Sequence, residues 1–168
     1  SILFATNLSE ECRPALKTAV SLATQHKAAL ILLHVIVADT PEYVEERLKD
    51  IIGEKKWSEL KKHQEKKIED ALIGKMSFGG IGNEMLLQYC KEAGIDMDNC
   101  GINWSTETVT DTDKSYAILN QAKEHGCDLI VLGTGKGLMG GNALGSTIKP
   151  VLRGSKIPVL VVPYQVED

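Results

Sequence analysis

The sequence predicts an α/β protein: a doubly wound parallel sheet of five strands, formed by residues 1–168 as one domain. Three observations predict it. First, ALILLHVIV (29–37), DLIVL (128–132) and IPVLVV (157–162) are nearly continuous apolar runs. A strand with one wet face alternates; a strand buried on both faces does not, and parallel strands are the ones so buried. Second, these runs alternate with stretches whose apolar residues recur at helical spacing. Third, helix-length segments join successive strands, as parallel neighbours require.

Taken in order, ILFAT (2–6) reads as a short buried strand. Ser9 is a suitable N-cap, with Glu10 and Glu11 in the first helical turn. Pro14 falls where a missing N–H is tolerated. Ala15, Leu16, Ala19, Val20, Leu22 and Ala23 then form one apolar face. The run 29–37 is a central strand, giving a right-handed strand–helix–strand opening. Residues 42–74 are rich in Glu and Lys around a stripe of Val44, Leu48, Ile52, Trp57, Leu60, Ile68 and Leu72. Gly53 is placed to break this stretch into two helices.

KMSFGGIG (75–82) reads as a loop, and 83–94 as a helix capped by Asn83 and stopped by Gly94. INWSTETVT (102–110) is polar and β-branched, which suits an edge strand. Residues 114–125 read as a helix ended by Gly126, followed by the strand 128–132 and a helix from about Ser146. IPVLVV closes the sheet, with Pro158 fitting an edge. The expected strand order is 3-2-1-4-5.

The chain has 168 residues, 43% hydrophobic and 25% charged, with a net charge of −4. That length buries a full core. The acidic balance argues against a nucleic-acid partner, whose phosphates need a basic face. No run reaches the roughly 18 apolar residues of a membrane span, and no signal peptide is visible. Cys12, Cys90, Cys100 and Cys127 form no CxxC pair, and the four histidines are not at zinc-ligand spacing. The expectation is four buried or partly buried thiols in a cytoplasmic protein. His34 reads as structural and His63 as solvated.

The segment that carries chemistry is VLGTGKGLMGGNALGSTIKPVLRGS (131–155). Six of the chain's fifteen glycines lie between Gly133 and Gly145. Each costs roughly 0.5–1 kcal/mol of backbone entropy relative to alanine in regular structure. A backbone that must approach a phosphate is one reason to accept that cost. Gly135 to Gly140 matches G-x-G-x-x-G, but a dinucleotide fingerprint belongs at the first strand–helix turn, with an acidic residue about 20 positions on. No window supplies a Walker A loop, and neither flavin nor NAD is expected.

These residues resemble the universal stress protein family. ILFATNLSEECRPALKTAVSLA is similar to its first strand and helix, LILLHVIV to its second strand. CDLIVLGTG…ALGSTIKPVLRGSKIPVLVVP is similar to its closing region. The resemblance covers roughly 1–37 and 112–163 and implies a Rossmann-like fold. Nucleotide-binding members carry G-x2-G-x9-G-[ST], in which the glycine N–H groups and the hydroxyl hold phosphates. Nine residues separate Gly135 from Gly145, and Ser146 follows. Leu132 stands where the motif has its first glycine; the nearest, Gly133, is one residue off. Asn7 stands where the family places an aspartate at the ribose. The backbone contact to adenine maps to Val35.

The resemblance thus implies a regulatory protein that binds ATP, with Mg2+, or AMP, through Ala5, Thr6, Asn7, Val35, Gly133, Gly135, Lys136, Gly145, Ser146 and Thr147. At most slow hydrolysis is expected, since no residue set resembles a positioned general base. The plainer alternatives are a solvated loop lysine at Lys136 and an ordinary N-cap at Ser146. At the level of the whole protein, the alternative is a dimeric stress-response scaffold that binds no nucleotide, which the Asn7 and Leu132 departures favour. An ATP-pyrophosphatase-like enzyme is disfavoured, because ATNLSEE lacks the required serine–glycine loop. The family also implies a homodimer through the 157–163 edge strand. Residues 41–100 offer either a protein-docking surface or simply a pair of covering helices.

Overall fold

In the computed structural model, residues 1–37, 41–59, 79–135 and 145–164 are described. Strands β1 (Ile2–Thr6), β2 (Leu30–Val37), β3 (Trp104–Asp111), β4 (Leu129–Gly133) and β5 (Val159–Val162) form one sheet in the order β3-β2-β1-β4-β5. Every adjacent pair is parallel. The order reverses between β1 and β4, and this is the expected 3-2-1-4-5 arrangement. All five residues of β1 are buried, which explains its uninterrupted apolar run.

Alternation within the strands divides the apolar residues between two cores. Ile2, Phe4, Leu30, Leu32 and Val131 point to one face, where helix α1 (Arg13–His26) supplies Leu16 and Ala19. The second cover of this face is α3 (Gly79–Glu92), with Leu86, Tyr89 and Cys90. Leu3, Ile31, Leu33, Ile130 and Leu132 point to the other face. It is covered by α4 (Lys114–Glu124), through Ile118 and Ala122, and by α5 (Ile148–Gly154), through Val151. Helix α2 (Pro41–Ile52) ends at Gly53, whose φ of +85° turns the chain before 54–59 become helical again. Leu48 and Trp57 from the expected stripe are buried, and the Trp57 indole N–H donates to Glu45 Oε1 at 3.2 Å. Leu60, His63, Ile68 and Leu72 lie outside the described residues.

Three helix starts differ from the sequence expectation. Ser9 does not cap α1: its side chain makes no capping bond, residues Glu10–Cys12 form a 3-10 turn, and α1 begins at Arg13. Asn83 is not a cap either. Helix α3 begins at Gly79, and the Asn83 carboxamide oxygen accepts a bond from Thr106 Oγ1 at 3.2 Å, tying the helix to β3. Burial of Met85, Leu86, Tyr89 and Cys90 on one stripe outweighs the poor helix propensity of its opening glycines. Finally, Ser146 lies in a turn and α5 starts at Ile148, with no side-chain cap from Thr147. All four cysteines are free thiols, three buried and Cys100 half-buried.

Candidate functional site

A cleft of about 370 Å³ opens at the carboxyl ends of the central strands. The strand order reverses there, leaving a crevice between connections that depart to opposite faces. Ala5, Thr6 and Asn7 line it from the end of β1, Val35 from β2, and Gly133 and Gly135 from the end of β4. Thr147 lines it from the turn before α5. Gly145 and Ser146 are exposed and do not line it; Lys136 lies outside the described residues.

The end of β1 is shaped by its own side chains. Thr6 Oγ1 accepts from the Leu8 N–H at 2.9 Å. Asn7 Oδ1 accepts from the Ser9 N–H at 3.1 Å, and the Cys12 thiol lies 3.2 Å from the same oxygen. These local bonds hold Leu8 at φ +64°, a left-handed conformation that costs a residue with a Cβ about 1–2 kcal/mol. The Thr6 carbonyl accepts from His34 Nδ1 at 2.9 Å, which makes His34 structural and fixes the proton on that nitrogen. The Tyr89 hydroxyl donates to the Ser9 carbonyl at 3.0 Å, anchoring α3 to this turn. Burial raises the Tyr89 pKa well above the ordinary phenol range, so it stays a donor. Burial likewise pushes the Cys90 thiol up to about 11, with a smaller contribution from Cys100.

Gly133 sits at a close approach. A Cβ there would lie 3.0 Å from Cys12 Cα, 3.1 Å from its Sγ and 3.3 Å from Ala15 Cβ. The start of α1 therefore sits directly on β4, and Cys12 forms part of the cleft wall. At Gly135 and Gly145 an added Cβ would meet nothing within 4 Å. Among the described residues, the N–H groups of Gly135 and Thr147 have no protein acceptor.

Several lining residues were not among the expected site residues. Ser9, Glu11 and Cys12 come from the entry to α1, and Lys114 and Ile118 from the first turns of α4. Leu132 and Ile148 complete the floor. Lys114 follows Asp113, whose Oδ1 accepts from the N–H groups of Ser115 and Tyr116 at 2.8 and 3.1 Å and so caps α4. The Ser115 hydroxyl donates to the Thr147 carbonyl at 3.3 Å, bringing the α4 start beside the α5 start. That this capped start lies by the cleft follows only from the strand order. The charged residues lining the cleft, among those described, are Glu11 and Lys114. No group of three metal-ligating side chains occurs among the described residues.

The sheet and its crevice define a doubly wound α/β protein with a small-molecule-sized opening at the switch point. The chain belongs to the universal stress protein family: the model of that family matches residues 1–97 and 100–163. Among solved structures, the hypothetical protein MJ0577 is 27% identical with a TM-score of 0.60, over 99% of this chain and 96% of that one. Universal stress protein UspA from Lactobacillus plantarum is 26% identical with a TM-score of 0.58, over 96% and 95%. A universal stress protein in complex with cAMP is 20% identical with a TM-score of 0.55, over 98% and 96%, and shares the fold. No curated protein matches the chain in sequence. No helix among the described residues is long and apolar enough to cross a membrane.

Proposed function

We propose that the protein is a stress-response regulator that holds AMP or ATP in the cleft at the carboxyl ends of β1, β2 and β4. One observation carries the reading. Ala5, Thr6, Asn7, Val35, Gly133, Gly135 and Thr147, chosen from three distant segments of sequence, line a single cleft. The base packs against the apolar end formed by Val35, Ile118 and Leu132. The phosphates meet the N–H groups of Gly135 and Thr147 and the ammonium of Lys114, an arrangement of donors that suits an anion. With ATP, Mg2+ arrives on the phosphates. That a protein of this fold is known in complex with cAMP supports the reading at the level of the fold. Four free thiols suit a reducing compartment, so the reading places the protein in the cytoplasm.

Titration calorimetry with AMP and with Mg-ATP tests this. Heat of binding with one nucleotide per chain is expected. Silence at millimolar ligand, together with an unshifted melting temperature, would leave the second reading, a scaffold without nucleotide. The Asn7 and Leu132 departures favour that scaffold. Either reading includes a homodimer. Val159 to Val162 are all partly exposed on a strand with β4 as its neighbour. Pairing of that edge with its copy would cover it and close a two-fold assembly. Sedimentation at micromolar concentration should give twice the 18.3 kDa chain mass; a species at the chain mass would exclude the dimer.

A further inference from the structure

A second hollow lies at the opposite end of the sheet from the cleft, on the face that α4 and α5 cover. Its volume is about 510 Å³, against about 370 Å³ for the cleft. Cys127, which leads into β4, and Ile157, which leads into β5, lie at its floor with the buried Ile130. Leu119 and Lys123 line it from α4, and Gly154 and Lys156 from the end of α5 and the turn beyond. Tyr116 lines it too and is 63% exposed. The two openings share helices α4 and α5 but no lining residue.

The polar groups there leave cations for a ligand and no anion. The charged side chains of the lining are Lys123 and Lys156, both exposed, and neither has a carboxylate partner among the described residues. Glu124 is held along α4 itself, where its oxygens accept from Asn120 Nδ2 at 2.9 Å and Gln121 Nε2 at 2.8 Å. The carbonyls that end α4 are also used: Gln121, Ala122 and Lys123 accept from the N–H groups of His125, Cys127 and Gly126. The Ser155 hydroxyl donates to the Ile157 carbonyl at 2.7 Å and accepts from the Ile157 N–H at 3.2 Å. Burial raises the pKa of the Cys127 thiol, which therefore stays neutral. In a chain of net charge −4, residues 145–158 carry Lys149, Arg153 and Lys156 and no acidic residue.

We infer that this hollow is a second binding site, for a small apolar carboxylate whose hydrocarbon part sits on Leu119, Ile130 and Ile157 and whose carboxylate lies between Lys123 and Lys156. An apolar floor with a few charged groups, at this volume, is the ordinary form of a small-molecule site. A cationic ligand would meet two ammonium groups and no carboxylate. A neutral one would leave both ammonium groups unused.

NMR titration of the isotope-labelled protein with octanoate and with octanol, which has the same tail and no charge, tests this. Saturable shifts are expected at residues 119–127 and 154–157. One exposed ion pair is worth up to about fivefold in affinity, so with two lysines octanoate should bind at least about fivefold more tightly than octanol. Lys123→Ala/Lys156→Ala, at two exposed positions, should bring the two probes to equal affinity. Gly154→Ala tests the shape instead of the charge. Its new Cβ would lie 2.7 Å from Leu119 Cδ1. The leucine then swings toward its open side, the hollow, and both probes should weaken alike. The inference is overturned by an absence of saturable shifts at millimolar octanoate, by shifts confined to the cleft residues, or by equal affinities for the two probes in the unmodified chain. A preference for octanoate that survives in the double variant, or unchanged binding of both probes to Gly154→Ala, overturns it as well.

Discussion

The two ends of the sheet are built by different rules. At the amino ends of the strands, three helices finish in the same way. Lys27, Gly94 and Gly126 turn left-handed at φ +52°, +75° and +57°. Their own N–H groups bond back to Thr24, Lys91 and Lys123, and the next residues, Ala28, Ile95 and Cys127, to Ala23, Cys90 and Ala122. This is a paired closure by backbone atoms alone, with an apolar residue tucked in behind it. At the carboxyl ends, side chains do the turning. Thr6 and Asn7 hold Leu8 left-handed, Cys12 leans on Gly133, and the Gly135 and Thr147 N–H groups have no acceptor among the described residues. One end closes on its own backbone, and the other leaves two N–H donors without an acceptor among the described residues. Substitutions should therefore act on stability at both ends, and on nucleotide binding at one.

The largest effect is expected at Gly133→Ala. The new methyl would meet backbone at Cys12 Cα, which cannot swing aside as a flexible side chain would. Overpacking of this kind costs about 1–3 kcal/mol. A denaturant melt should show that loss, and displacement of Cys12 should also weaken nucleotide binding. A stable variant with unchanged affinity would mean that the two ends do not differ as described.

Gly126→Ala isolates the amino-end rule, because an added Cβ there has open space around it. The cost is backbone strain alone, about 1 kcal/mol, and nucleotide affinity should not change. A smaller effect of opposite sign is expected at Lys27→Gly. That position holds a side chain in the conformation that glycine takes freely, so the substitution should stabilise the chain by about 0.5 kcal/mol. Urea unfolding of both variants checks the pair; a destabilised Lys27→Gly would contradict the closure rule.

The two ends also differed in how much of them could be read from sequence. Runs such as LILLHVIV declare a strand buried on both faces, and Gly94 and Gly126 declare helix ends. These signals are local, and their alternation gives a doubly wound parallel sheet, of which the order 3-2-1-4-5 is one common arrangement. Helix starts were less legible. The opening glycines of α3 argue against a helix, and only the burial of Leu86 and Tyr89 explains it. Asn83 looked like a cap but serves β3 through Thr106. At the cleft, Asn7, Val35 and Gly135 were suggested by the family resemblance. Cys12 and Lys114 were not, because each reaches the cleft only through packing between segments far apart in sequence. The loop to which the resemblance assigned phosphate contacts includes Lys136 and residues 137–144, which lie outside those described.

The central claim is that the carboxyl end of the sheet is a nucleotide site and the amino end is not. Calorimetric titration of AMP into the unmodified protein, Gly133→Ala and Gly126→Ala tests it most directly. The account predicts one bound AMP per chain for the unmodified protein, equal affinity for Gly126→Ala, and weakened binding for Gly133→Ala. Equal losses in both variants, or no binding to the unmodified protein at millimolar AMP, would contradict it.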